Sequence, residues 1–153
     1  MWQRIQTLFL LLLVASMAVS LFLPIWKLTE RTKEFQLYPL HFTIIENGEQ
    51  ITAYFPYSIT AILMVAAATI GIMEIRRFDN RIIQIKLGTL NSLILAGVMI
   101  CIVIFYNSVT KEYGYNRFGL VMWITFFGVA CNWLALRFIR RDEKLVRDSD
   151  RIR

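Results

Sequence analysis

The sequence has little of the chemistry on which enzymes and metal sites depend. It contains one histidine, His41, and two cysteines, Cys101 and Cys131, in 153 residues. No CxxC pair, GxSxG, HExxH or P-loop motif is present. A lone histidine without nearby cysteine or a carboxylate cluster makes a poor metal site. The sequence therefore predicts neither an enzyme nor a bound metal or cofactor.

Charge is also scarce, at 18% of residues, while hydrophobic residues reach 57%. An average soluble protein carries about 25% charged residues. The apolar excess falls in four runs, each close to the ~20 residues of helix that cross a bilayer. A cleaved signal peptide is the alternative for the first run, but the apolar residues continue past the small residues at which cleavage would occur. We predict four membrane spans, at about residues 5–23, 57–75, 87–106 and 119–139.

The basic turn between the second and third runs sets the expected orientation. Most of the 17 lysine and arginine residues lie on the same predicted side as this turn. Loops rich in lysine and arginine stay in the cytoplasm. We therefore predict an inner-membrane protein with both termini in the cytoplasm. The net charge of +6 suits binding to anionic lipid headgroups. The sequence contains no basic soluble domain that could bind nucleic acid, so we expect no nucleic-acid partner. The turn contains four cations, Arg76, Arg77, Arg81 and Lys86.

The predicted first external loop, residues 27–56, holds the clearest signal outside the apolar runs. Asn47-Gly48 separates two β-prone segments and fits a two-residue type I′ turn, in which both residues have positive φ. An isolated hairpin is marginal in water, so its apolar face must rest on something. The hairpin is either a lid over the helices or a docking platform for a partner. The pairing would place four apolar residues on one face, Phe42, Ile44, Ile51 and Ala53.

Small and amide side chains predict where the helices pack. Gly88, Ser92 and Ala96 recur at every fourth position of the third run, and small residues let helices approach closely in lipid. Asn91 and Asn132 lie at similar depths in the third and fourth runs. We predict an interhelical hydrogen bond between these two amides, as a packing feature rather than a substrate contact.

The charged residues are expected at the ends of the spans and not inside them. Glu74 closes the second span beside Arg76 and Arg77, and we expect it to reach the membrane surface. Without an ionisable group deep in a span, the sequence argues against a coupled transporter.

A charged tail, residues 140–153, follows the fourth run. A helix continuing into this tail would have one apolar side, suited to the membrane surface or to a partner helix. A frayed tail is the alternative. The apolar residues in question recur every seven positions, at Phe138, Leu145 and Ile152.

Three stretches of the sequence give it a resemblance to a known family. They are residues 1–7, MWQRIQT, residues 81–91, RIIQIKLGTLN, and residues 142–153, DEKLVRDSDRIR. On these stretches the chain resembles the uncharacterised four-helix membrane protein family of Bacteroidota, a domain-of-unknown-function family. The resemblance implies a bacterial inner-membrane protein with four spans and no assigned activity. It also implies that the tail is a recognition element.

These observations predict an all-α membrane protein with a single domain over residues 1–153. We expect a four-transmembrane-helix bundle with a small external β-hairpin in the first loop and a cytoplasmic charged C-terminal tail. The expected function is a non-enzymatic accessory or scaffold subunit of a bacterial envelope complex. The alternative is a small transporter or a membrane protein that binds lipid or a small molecule. The expected partners are the lipid bilayer and either a membrane protein or a second copy of this chain.

Overall fold

The computed structural model describes residues 2–30, 33–46, 48–116 and 118–151. Within these ranges the chain is mostly helical and also forms a small sheet. The elements are α1 (Trp2–Ser20), β1 (Trp26–Thr29), β2 (Lys33–Leu37), β3 (Phe42–Glu46), β4 (Glu49–Ala53), α2 (Ser58–Arg76), α3 (Arg81–Tyr113) and α4 (Leu120–Arg151).

The four helices form a closed ring in which α1 packs on α2, α2 on α3, α3 on α4 and α4 on α1. Helices α1 and α4 run in opposite directions, because Gln6 near the start of α1 is hydrogen bonded to Asp142 near the end of α4. Helices α2 and α3 do so as well, because Gln84 near the start of α3 is hydrogen bonded to Glu74 near the end of α2. The buried residues of α3 recur at spacings of three and four residues, the pattern of helices that pack side by side. Its buried positions are Gln84, Gly88, Asn91, Leu95, Val98, Ile102, Tyr106 and Val109.

Three of the helices, α2, α3 and α4, are long and apolar enough to cross a membrane. The apolar part of α1, Ile5–Ser20, is shorter and ends three residues before the predicted boundary, ahead of Pro24. Helix α3 begins earlier than predicted because the Asn80 side chain accepts a hydrogen bond from Ile83 N, at 3.1 Å. This N-cap starts the helix inside the basic turn.

The charged tail continues α4 as a helix as far as Arg151, so the frayed alternative is wrong. Two contacts dock its beginning on the bundle. Gln6 Nε2 donates to Asp142 Oδ2 at 2.6 Å, and Arg81 Nη1 donates to the Asp142 carbonyl oxygen at 3.1 Å. Leu145 is exposed, and Ile152 lies outside the described residues.

The predicted hairpin is half of a larger sheet. Strands β3 and β4 pair in the predicted register, with Ile44 opposite Ile51 and Phe42 opposite Ala53. Gly48 has φ +89°, as the predicted turn requires; its neighbour Asn47 lies outside the described residues.

Strands β1 and β2 extend the hairpin to a four-stranded antiparallel sheet in the order β1-β2-β3-β4. The chain is therefore mostly helical, as predicted, but its β-structure is a four-stranded sheet where the sequence predicted a hairpin alone. The charged residues of this segment suggested a loop, but they form ion pairs between neighbouring strands. Lys33 Nζ lies 2.9 Å from Glu46 Oε2, and Lys27 Nζ lies 3.5 Å from Glu34 Oε2.

The sheet covers one end of the bundle, which we call the sheet end; the opposite end, with the basic turn, is the basic end. The Tyr113 ring at the end of α3 contacts Phe35 and Phe42, with centroid distances of 4.8 and 5.4 Å. Only β3 contributes packed residues to the predicted apolar face of the hairpin, because Ile51 on β4 is 66% exposed and Ala53 is exposed too.

Candidate functional site

An ionisable side chain lies inside the bundle near the basic end. Glu74, in the last turn of α2, is 0% exposed. It follows Ala67 and Gly71 along the buried face of the helix, at spacings of four and three residues, so the helical repeat turns it inward. The prediction that Glu74 reaches the membrane surface is wrong.

Two amide side chains from α3 contact Glu74. Asn91 Nδ2 donates to Glu74 Oε1 at 3.5 Å. Gln84 Nε2 donates to the backbone carbonyl oxygen of Glu74 at 3.2 Å. This carbonyl is one of the last in α2, where the helix itself supplies no donor. The same region of α3 therefore binds both the carboxyl group and the end of the helix that carries it.

Asn132 brings α4 to the same region. Its Nδ2 atom donates to Ser92 Oγ at 2.8 Å and to the Gly88 carbonyl oxygen at 3.2 Å. Each predicted asparagine thus makes an interhelical hydrogen bond, but the predicted bond between Asn91 and Asn132 is absent among the described residues. Asn91 is instead hydrogen bonded to Glu74 on α2, whereas Asn132 is hydrogen bonded to Gly88 and Ser92 on α3.

At Gly88, helix α3 lies close to both α2 and α4. A Cβ atom there would lie 2.6 Å from Leu136 Cδ2 and 3.0 Å from Glu74 Oε2. The predicted packing face is therefore correct at Gly88 and at the half-buried Ser92. It is wrong at Ala96, which is exposed. A strict four-residue spacing advances 400° on a helix of 3.6 residues per turn, so it drifts about 40° around the helix at each step.

The cluster has more acceptors than donors. Three buried oxygen atoms have no hydrogen-bond partner among the described residues, namely Glu74 Oε2, Asn91 Oδ1 and Asn132 Oδ1. A buried acceptor without a donor costs about 1–3 kcal/mol. A proton on the Glu74 carboxyl group would supply one further donor to this cluster. We refer to Glu74, Gln84, Asn91, Ser92 and Asn132 as the polar cluster.

The cations of the basic turn lie at the edge of this cluster and do not enter it. Arg76 and Arg77 line a surface cavity of about 470 Å³. Arg81 binds the α4 backbone at Asp142. Lys86 is exposed on α3.

A second unusual feature lies at the sheet end, where the two edges of the sheet differ. The edge at β1 is covered by the chain between α3 and α4: Asn116 Nδ2 donates to the Lys27 carbonyl oxygen at 2.6 Å. Just before β1, Gly119 N donates to the Ile25 carbonyl oxygen at 2.7 Å. Among the described residues no strand pairs with the outer edge of β4, which we call the open edge. Four of the five β4 residues are exposed, Glu49, Gln50, Ile51 and Ala53. Phe55, which follows β4, is 80% exposed.

Helices of membrane-spanning length, arranged in a ring and covered at one end by a small sheet, indicate a small helical membrane protein. Residues 2–152 match the model of the family described as domain of unknown function DUF4293. The chain belongs to this family, as the resemblance in its sequence implied. A comparison with curated proteins gives no match.

Proposed function

We propose that this chain is a non-enzymatic accessory or scaffold subunit of a bacterial envelope complex. In this proposal all four helices span the inner membrane and both termini lie in the cytoplasm. The open β4 edge is the observation that supports the proposal most strongly. An exposed edge presents a row of unpaired backbone N–H and C=O groups, which natural proteins normally cover or protect with charge.

The occupant that fits this edge is an extended segment of a partner membrane protein on the same side of the bilayer. Such a segment would add a fifth strand and pair with the β4 backbone, a common way of binding peptides. The exposed side chains of Ile51 and Phe55 offer apolar contacts beside that strand.

Crosslinking in cells tests this docking. A photoreactive amino acid is placed at Gln50 on β4, and a matched one at Thr29 on β1; both positions are exposed. The expected result is one crosslinked partner from Gln50 and none from Thr29. In the reciprocal experiment, a photoreactive amino acid in an extended segment of a tagged copy of that partner must crosslink to this chain.

Three outcomes would count against the docking. Equal crosslinking from Gln50 and Thr29 would mean random contact. The absence of any crosslink at Gln50 would leave the edge without a partner. A crosslink between two copies of this chain would mean a homo-oligomer and would replace the partner protein.

A second candidate function is a small transporter or a protein that binds lipid or a small molecule, and the polar cluster favours it. Ionisable residues inside membrane helices often mark ion or substrate paths. Glu74 and Asn91 are both 0% exposed, so a path through the cluster requires the helices to open. Proton flux into vesicles containing the wild-type protein, but not the Glu74→Gln variant, would support this function; equal flux would remove it.

A further inference from the structure

A groove lies on the outside of the bundle near the basic end, between α3 and α4. Its volume is about 480 Å³, within the ~300–1,000 Å³ typical of small-molecule sites. We call it the α3–α4 groove. It is lined by two arginines, two hydroxyl side chains, an indole ring and a leucine, namely Thr89, Ser92, Trp133, Leu136, Arg137 and Arg140.

The two arginines are held on the walls of this groove. The Arg137 guanidinium carbon lies 5.4 Å from the centroid of the Trp133 ring, a cation–π geometry. Arg140 Nη2 donates to Thr89 Oγ1 at 3.4 Å. No acidic side chain is among the lining residues. The groove is therefore a concave positive surface, and its two guanidinium groups suit a phosphate group.

The groove also opens onto the apolar outside of the bundle. Leu93 lies one helical turn from Thr89 on α3 and is exposed, and Trp133 on α4 is 58% exposed. A tryptophan at this level is typical of the boundary between headgroups and acyl chains. Charge at the basic end and apolar surface toward the middle of the bundle follow the same order as the headgroup and acyl chain of a phospholipid.

We propose that the α3–α4 groove binds an anionic phospholipid. Its phosphate lies between Arg137 and Arg140, and one acyl chain runs past Trp133 toward Leu93. Basic pockets between membrane helices are a known way of holding acidic headgroups. A lipid with a zwitterionic headgroup binds less well, because its own cation is repelled by the two arginines. The site is separate from the β4 edge, so either proposal stands if the other fails.

Native mass spectrometry of the purified full chain in dodecyl maltoside tests this site. Dioleoyl phosphatidylglycerol or dioleoyl phosphatidylcholine is added at matched concentrations. The wild-type protein is expected to retain one phosphatidylglycerol in preference to phosphatidylcholine. The double variant Arg137→Gln, Arg140→Gln should bind it about 30-fold more weakly, at ~1 kcal/mol per arginine and tenfold per 1.4 kcal/mol.

The matched control is the double variant Arg76→Gln, Arg77→Gln. It removes the same charge from the basic end, at two residues that are also exposed and lie outside the groove. The control should change the affinity by less than about threefold. Both double variants should elute from size-exclusion chromatography as the wild type does, since neither pair is packed in the bundle.

The location of the bound lipid is checked by a second measurement. Brominated phosphatidylglycerol quenches indole fluorescence at short range. The quenching should therefore fall when Trp133 is replaced by Phe and not when Trp123, which is 69% exposed on α4 and lies outside the groove, is replaced by Phe.

Three results would overturn the proposal. An equal loss of binding in both double variants would mean general surface charge. No preference for phosphatidylglycerol in the wild type would mean no headgroup site. Displacement of the lipid by millimolar inorganic phosphate would mean that the groove holds a soluble phosphate.

Discussion

The two ends of the bundle are closed in different ways. At the sheet end, aromatic rings from the sheet and from α3 pack together. Hydrogen bonds from the Asn116 side chain and the Gly119 backbone join the covered β1 edge to the chain before α4. At the basic end, the helices meet through amide, hydroxyl and carboxyl groups, some of which lack partners. Buried polar atoms without a partner occur at both ends, Trp26 Nε1 and Thr43 Oγ1 among them at the sheet end, and each is unfavourable. The buried carboxyl group, however, lies at the basic end.

This difference suggests that stability and function are divided between the ends. The sheet end supplies packing that holds the helices together. The basic end keeps a buried carboxyl group that packing alone does not require, since apolar residues of similar volume are often at least as stable as buried charged groups. The following variants test that division, in order of decreasing expected effect.

The largest effect is expected at Trp26 of β1, which is 0% exposed. Trp26→Ala removes a buried ring and should destabilise the protein by about 3–5 kcal/mol. The measurement is thermal unfolding in detergent, with hydrogen exchange of the sheet amides. Trp123→Ala is the control, because Trp123 is 69% exposed and its loss leaves no cavity. Similar effects of the two variants would mean that the sheet contributes little to stability.

The next effect tests the close approach of the helices at Gly88. Gly88→Ala forces the new Cβ against Leu136, whereas in Gly97→Ala, on the same helix, the nearest atom lies 3.6 Å away at Leu63. Both changes favour the helix by about 1 kcal/mol, so the difference between the variants isolates the packing. It should be about 1–3 kcal/mol in thermal unfolding. Equal stability would mean that Leu136 moves aside without cost.

A smaller effect is expected from the hydrogen bonds of Asn132. Asn132→Leu should destabilise by about 0.6–2 kcal/mol, the range for polar contacts between membrane helices. A double-mutant cycle with Ser92→Ala should give a coupling energy, because the two side chains are bonded at 2.8 Å. The cycle with Asn91→Leu should be nearly additive, because the two amides are not bonded to each other. Strong coupling of Asn91 with Asn132 would restore the pairing predicted from the sequence.

Several features could be predicted from the sequence because they depend on local physics. Asn47-Gly48 sets the register of β3 and β4, since the turn geometry fixes which residues face each other. The second apolar run predicts a span over residues 57–75, and each end of α2 lies one residue further along the chain. Phe35 and Leu37, buried at alternate positions of β2, were a signal for the extra strands that the surrounding charges concealed.

The inside of the bundle was harder to predict, because hydropathy gives depth along a helix but not which face its neighbours cover. Glu74 illustrates this point. Its place near the end of an apolar run suggested the membrane surface, while its spacing from Gly71 was the available signal for burial. The partners of Asn91 and Asn132 depend on side chains from three helices, and similar depth alone could not choose among them.

The last prediction concerns Glu74, where a substitution is expected to stabilise the protein, whereas the preceding ones destabilise it. Glu74→Gln keeps the size of the side chain and brings N–H donors to a cluster with three unpartnered oxygens. The variant should therefore be more stable than the wild type by about 0.5–1.5 kcal/mol, the net value of a typical hydrogen bond. Glu49→Gln, at an exposed position on β4, is the control and should change nothing measurable in thermal unfolding. A stabilised Glu74→Gln variant that loses the proton flux of the wild type would mean that the carboxyl group is kept for function at the expense of stability. A destabilised variant would mean that the carboxyl group itself holds the helices together.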